Sequence, residues 1–365
     1  MDDCLIIGGG VIGLSLAYQL ARDGARVRVI DRGETGREAS WAGAGMLPPA
    51  KLRPTDDPYQ QLAGLAIELQ PQWAAMLREE TGLDNGYRRT GALYVAYATD
   101  SEATLRRELT RWTAAGLQAA PLSPDDVQRL EPGLAPPRYG VHLPEEAQLR
   151  NPRHLRALET ACRLRGVTIT AGVEARRFTI AGERVVGVET NLGTLAAGAY
   201  CVTSGAWSRG LLADFGAVPA IRPVRGQIVL LRTERGAPRH IINDGPRYLV
   251  PRDDGRVLIG STEEDVGFDK RTTVGGVAGL LEFARALLPP LGEAQFERSW
   301  AGLRPATADG LPYLGRLPRV VNAYIAAGHF RSGLTLSPAT AVVMSQLIRG
   351  LRPTIDLTPF RIDRS

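Results

Sequence analysis

Hydrophobic positions along the chain fall into three kinds of run. The first is short and unbroken. "CLII" (residues 4–7) is too short for a helix and long enough for a buried strand. "GGGVIG" follows at once, then "LSLAYQLARDG", where Leu14, Ala17, Leu20 and Ala21 share one helix face and Gly24 supplies a stop. "RVRVI" (26–30) reads as a second strand that ends at Asp31. The second kind alternates. "GALYVAYA", "IRPVRGQIVLLR", "RYLVPR" and "GRVLIGST" read as short strands bounded by Gly and Pro. "VTITAGVEARRFTIAGERVVGVETNLGTLAAGAYCVTSGAW" reads as successive hairpins ending in a buried strand and a small-residue turn. The third kind is helical. "QQLAGLAIELQPQWAAMLREETG" predicts a helix broken or kinked near Pro71. "NPRHLRALETACRLRG" predicts an amphipathic helix with Asn151 as N-cap and Pro152 in its first turn. Near the C-terminus "NAYIAAG" is a strand, "LSPATAVVMSQLIRG" a helix, and "HFRSGLT" the link between them.

The α/β and β-rich runs alternate more than once, and 365 residues exceed what one hydrophobic core usually holds. The pattern predicts two interleaved domains. A Rossmann-like α/β domain takes residues 1–83, 146–217 and 302–365. A mainly antiparallel β domain takes 84–145 and 218–301.

Composition narrows the class. Hydrophobic residues make up 44% and charged residues 23%, ordinary for a soluble globular enzyme. The net charge of +5 is scattered, as in Arg88-Arg89 and Arg176-Arg177, so no nucleic-acid arm or polybasic membrane patch is expected. The only lysines are Lys51 and Lys270, so an arginine here is weak evidence of function by itself. Cys4, Cys162 and Cys201 form no CxxC pair and no metal spacing, which predicts a reduced, cytoplasmic protein without a metal. The acidic opening Met1-Asp2-Asp3 does not resemble a signal peptide. "LIIGGGVIGLSLAYQLA" is too short and too rich in glycine for an integral membrane span.

Three places carry candidate chemistry. Gly8, Gly10 and Gly13 form GxGxxG between a strand and a helix, with Asp31 at the spacing of a ribose-binding acid. The glycines permit a tight turn, close approach to a pyrophosphate and close helix packing. The acid favours a free ribose hydroxyl, hence FAD or NAD over NADP. FAD is favoured by the position of the unit and by Ser204, Gly205 and Ala206, small enough for a second strand end to approach the same cofactor. In "AAGHFRSGLTLSPATA" another glycine turn leads into a helix whose N-terminus suits an anion. His329 alone reads as a core or cap residue more readily than a catalytic one. Finally, "WAGLRPATADGLPY" sets Arg304 among small residues. A guanidinium keeps its charge when buried and needs an anionic partner. Spacing alone leaves that partner open between Asp309 and a substrate carboxylate.

"IIGGGVIG", "REASWAGAGML", "RYLVPR", "WAGLRPATADGLPYLG", "AAGHFRSGLTLSPATA" and the terminal "FRID" together resemble the D-amino-acid oxidase family of flavoproteins, in its glycine-oxidising branch, over almost the whole chain. The resemblance implies a two-domain fold with non-covalent FAD. It implies that Val11 and Ile12 lie along the pyrophosphate turn and that Asp31 and Arg32 meet the adenosine ribose. Ala39, Ser40, Ala44, Gly45 and Met46 would line the flavin path. Val173 would contact the adenine side through its backbone, and His329, Phe330, Arg331, Ser332, Gly333, Leu334 and Thr335 would wrap the isoalloxazine. Arg304, Tyr248 and Arg331 would hold the substrate. Trp41 departs from the small residues more usual in its loop.

The implied activity is oxidative deamination of glycine through an imine to glyoxylate and ammonia. Dioxygen is reduced to hydrogen peroxide, and the product supplies thiamine thiazole synthesis. No side chain is expected to act as acid or base. Sarcosine, D-alanine or D-proline would fit the same anchors, as would a dehydrogenase handing electrons to a quinone. A non-catalytic binding protein on the same fold has no use for a carboxylate fork. Glu263 and Glu264 are expected on the surface more readily than in the pocket. Relatives in the family are often tetramers, so the resemblance implies a homo-oligomer.

Overall fold

The computed structural model describes residues 1–364 apart from 54–55, 217–218 and 235. A strand β1 (Asp2–Ile7), a helix α1 (Val11–Arg22) and a strand β2 (Val27–Asp31) form the predicted βαβ unit. They join a six-stranded sheet in the spatial order 313–316, 323–327, 197–202, β1, β2, 168–171, parallel except for the edge strand Tyr313–Arg316. Alternation along β1 sends Cys4 and Ile6 to one face and Leu5 and Ile7 to the other. The first face is covered by four helices: α1, Pro58–Thr81, Asn151–Leu164 and Gly333–Ile348. The second carries the meander of strands Ala175–Ala181, Arg184–Thr190 and Gly193–Leu195.

An eight-stranded sheet forms the other half, in the order 295–306, 222–232, 256–260, 247–251, 241–244, 92–96, 139–143, 120–122. Val229, Leu231, Leu249, Val257 and Ile259 face one way, onto the helix Val274–Leu287. Ile228, Leu230, Tyr248, Val250 and Leu258 face the other way, toward Ala44 and Met46 of the first half. The strand Gln295–Ala306 pairs along its length with Arg222–Arg232, so the expected boundary at 302 falls inside a strand.

Several local expectations need correction. The helix Pro58–Thr81 runs through Pro71, so of the expected break or kink the break does not occur. It starts on Asp57, whose carboxylate accepts from the Tyr59 and Gln60 N–H groups. Asn151 is the first helical residue rather than the N-cap, because its amide reaches away to the Ser40 carbonyl (2.8 Å). The C-terminal helix begins at Gly333, inside the expected link. The helices Thr99–Ala114 and Val274–Leu287 were not anticipated. The first is mostly polar and the second is punctuated by glycines, and neither pattern marks a face clearly.

Candidate functional site

The crevice opens where β1 and the strand Ala197–Val202 end side by side. Gly8 turns the chain there at φ +113. A Cβ on Gly8 would lie 2.7 Å from the Thr203 carbonyl oxygen, and one on Gly13 would lie 2.0 Å from the Gly8 carbonyl oxygen. The motif is thus a cradle kept clear of side chains. Gly10 caps α1, and the first helical N–H, of Val11, donates to Ser40 Oγ (2.9 Å). Asp31 accepts from the Gly9 N–H (2.8 Å) and the Gly33 N–H (2.9 Å). Burial raises its pKa, and those two donors oppose the shift. The Arg32 guanidinium lies 3.9 Å over the Trp207 ring. The Val173 N–H is taken by the Asp31 carbonyl (2.9 Å), so its backbone offers a ligand only the carbonyl.

From this crossover a cavity of about 660 Å³ reaches the eight-stranded sheet. Gly8, Gly10, Val11, Ile12, Asp31, Arg32, Ala39, Ser40, Ala44, Gly45, Met46, Val173 and Gly205 line it. So do Tyr248, Arg304, His329, Phe330, Arg331, Gly333 and Leu334. Three expected residues do not. Gly13 lies against the backbone beneath the turn, Ser332 Oγ faces the Tyr59 hydroxyl (3.3 Å), and Thr335 Oγ1 donates to the Met46 carbonyl (3.4 Å). Trp207, Gly226, Ile228, Asn243 and Ser261 also line the cavity and were not anticipated. Trp207 directly follows the small residues Ser204, Gly205 and Ala206, whereas the other four are brought in by the long-range pairing of the eight-stranded sheet. Trp41 closes its short helix, Ala39–Ala42, against Trp300 (ring centroids 5.3 Å apart), with Arg298 over both rings.

Arg304 sits opposite Val224 in the sheet, and its guanidinium occupies the space above Gly226, where a Cβ would come within 2.2 Å. Gly260 leaves similar room for the Tyr248 ring. Arg304 donates to Ser261 Oγ (2.6 Å) and to the Thr262 carbonyl (3.2 Å). Among the described residues no carboxylate forms an ion pair with it. Asp309, the candidate in sequence, is taken by Arg364 through two bonds (2.7 and 2.9 Å). Burial lowers the Arg304 pKa, and Tyr248 opposes the shift.

A nearby arginine shows what a structural guanidinium looks like here. Arg225 is buried and has carboxylates on both sides, Glu264 (2.5 Å) and Asp269 (3.1 Å). Glu264 is therefore an internal partner rather than a surface or pocket residue, also accepting from Thr262 (2.6 Å) and Gln227 (2.8 Å). Glu263 is half-exposed and pairs with Arg331. His329 is buried in the cavity wall beside Thr340 Oγ1 (3.1 Å), and burial pushes its pKa down to about 3.

The residues fit a dinucleotide. The side-chain-free cradle, an acid at the end of β2 and a helix N-terminus at Gly333 converge on one cavity. Among the described residues there is no metal-ligand cluster, and no helix is long and apolar enough to cross a membrane.

A family profile described as FAD dependent oxidoreductase matches residues 3–347. A glycine oxidase of Pseudomonas putida is 35% identical over 98% of this chain and 97% of its own length. The bifunctional protein ThiO/ThiG of Trichormus variabilis is 34% identical over 95% of this chain and 52% of its own. The crystal structure of glycine oxidase from Geobacillus kaustophilus superposes with a TM-score of 0.95 at 34% identity, covering 100% of this chain and 99% of that one. With a cavity built for FAD and a match over nearly its full length, the chain belongs to the DAO family of FAD dependent oxidoreductases.

Proposed function

We propose that the chain oxidises glycine to the imine, which hydrolyses to glyoxylate and ammonia, while dioxygen becomes hydrogen peroxide. The observation that carries this is Arg304, a desolvated guanidinium at the sheet end of the FAD cavity that is ion-paired to no carboxylate among the described residues. The glycine oxidases at about one-third identity support it, as does the ThiO half of the bifunctional relative.

Gly8, Gly10, Asp31 and the start of the 333–348 helix would hold FAD, which supplies a two-electron acceptor when bound. The chain's own groups position the substrate. Arg304 presents a fork to the carboxylate, a geometry that lysine lacks. Ser261 and Thr262 hold that fork in place, and Gly226 gives it room. Tyr248 stands beside it as a further donor. Fixing the carboxylate and the amine fixes the Cα–H direction. No residue is asked to accept a proton, since His329, at a pKa of about 3, is a poor base. The expected setting is the cytoplasm.

The test is to purify the protein, record its visible spectrum and add glycine without oxygen. Bleaching of the oxidised-flavin band is expected. Bleaching by sarcosine, D-alanine or D-proline but not by glycine overturns the substrate assignment. A colourless protein overturns the cofactor assignment.

A further inference from the structure

Two arginines, not one, face the substrate end of the cavity, and one short segment grips both. Residues 261–263 follow the strand Arg256–Gly260. Ser261 and Thr262 hold Arg304, and the next side chain, Glu263, pairs with Arg331. Arg331 reaches this place from the opposite loop. Its neighbour Phe330 donates its N–H to the carbonyl of Pro305, the residue after Arg304 (3.0 Å). Two loops anchored on either side of Arg304 therefore meet in the Glu263–Arg331 pair. Glu264 takes no part, because it turns inward to Arg225, Thr262 and Gln227. Arg304 senses both partners with opposite signs, the Arg331 charge lowering its pKa and the Glu263 charge raising it.

We propose that Glu263 sets the charge selectivity of this site. Paired with Arg331, it cancels one of two guanidiniums, so the pocket favours amino acids with one carboxylate over those carrying a second anionic group. Left alone, Arg331 is a vacant cation beside Arg304, suited to a second carboxylate. Both members of the pair are close to half exposed, with side-chain accessibilities of 42% and 47%. Solvent screens such a pair, so its influence is moderate and falls as salt is added.

This rests on the glycine-oxidase reading, and the experiment separates the two. The holoenzyme, Glu263→Gln, Glu263→Asp, Arg331→Gln and the double variant Glu263→Gln/Arg331→Gln are assayed with glycine and with iminodiacetate, which is glycine carrying a second carboxymethyl group. Glycolate and diglycolate are titrated in parallel against the oxidised-flavin spectrum. Glu263→Gln is expected to raise the iminodiacetate-to-glycine ratio of kcat/KM about fivefold, through KM, at low ionic strength. The diglycolate-to-glycolate affinity ratio is expected to rise with it. High salt and the double variant should erase the gain, and Glu263→Asp should keep the wild-type ratio. An unchanged ratio in Glu263→Gln overturns the proposal, as does an equal gain when Arg331 is already gone. If the wild-type enzyme fails to oxidise glycine, the functional reading falls, and the two ligand affinities still judge Glu263.

Discussion

The two ends of the cavity are built in different ways. The dinucleotide end is made mainly of backbone: a glycine turn, the carbonyls of Gly8 and Thr203, and N–H groups that the Asp31 carboxylate ties together. The substrate end is made of side chains standing on a sheet: Arg304, Tyr248 and Ser261, with space left by Gly226 and Gly260. A backbone site tolerates almost no added atom, because its walls cannot rotate away. A side-chain site gives way more easily, and its errors are expected in affinity before they appear in folding.

The largest break in this contrast is Gly13→Val. Its Cβ alone would sit 2.0 Å from the Gly8 carbonyl oxygen, a backbone atom, so helix and turn must separate. Overpacking of this kind costs about 1–3 kcal/mol or more. The expected product is a protein purified without flavin colour and without activity, and a yellow, active variant would dissolve the distinction between the ends. Arg304→Ala comes next. Losing charge-assisted bonds to a carboxylate costs about 1.5–3 kcal/mol, at least tenfold in kcat/KM, while the flavin band stays. Steady-state oxygen consumption and the visible spectrum together read this out, and normal turnover would remove Arg304 from the substrate site.

Gly226→Ala is milder. The atoms its Cβ meets are the tip of the Arg304 side chain, which can swing aside, so folding survives. A rise in KM for glycine with little change in melting temperature is expected. A large loss of stability with unchanged KM would count against the arrangement.

The smallest effect on turnover belongs to Glu146, buried near the sheet with the Tyr94 hydroxyl donating to it (2.9 Å). Burial raises its pKa from 4.5 to about 7. The folded state therefore holds that proton more tightly than the unfolded chain does. Its stabilisation is full below 4.5 and is lost as pH rises through about 7. Glu146→Gln should flatten this part of the melting-temperature profile and leave kcat/KM unchanged. A profile that keeps its slope would place the titration elsewhere.

The same contrast explains what was legible in the sequence. The dinucleotide end is nearly contiguous, so GxGxxG, its flanking strands and Asp31 could be read from local pattern alone. At the other end Arg304 stood out as a charge among small residues, but Asp309 was an equally good partner until the fold gave Asp309 to Arg364. Nothing local marks Ser261 or Gly226 as neighbours of Arg304. They meet it through the pairing of the 222–232 and 295–306 strands and through the turn after Gly260. The helix Val274–Leu287 escaped notice because glycines interrupt a face that only packing against Val229 and Val257 reveals.

The guanidinium resting in the space above Gly226 also bears on how this protein can change over generations. Any replacement at 226 meets Arg304 first, so it displaces the guanidinium and weakens its grip while Arg304 is in use. Once Arg304 is surrendered, in a lineage turning to uncharged amines, position 226 opens and can fill. From then on the return of an arginine at 304 is obstructed. One order of the two steps is favoured, and on the proposed role of Arg304 the pair acts as a ratchet that makes a loss of carboxylate recognition hard to reverse.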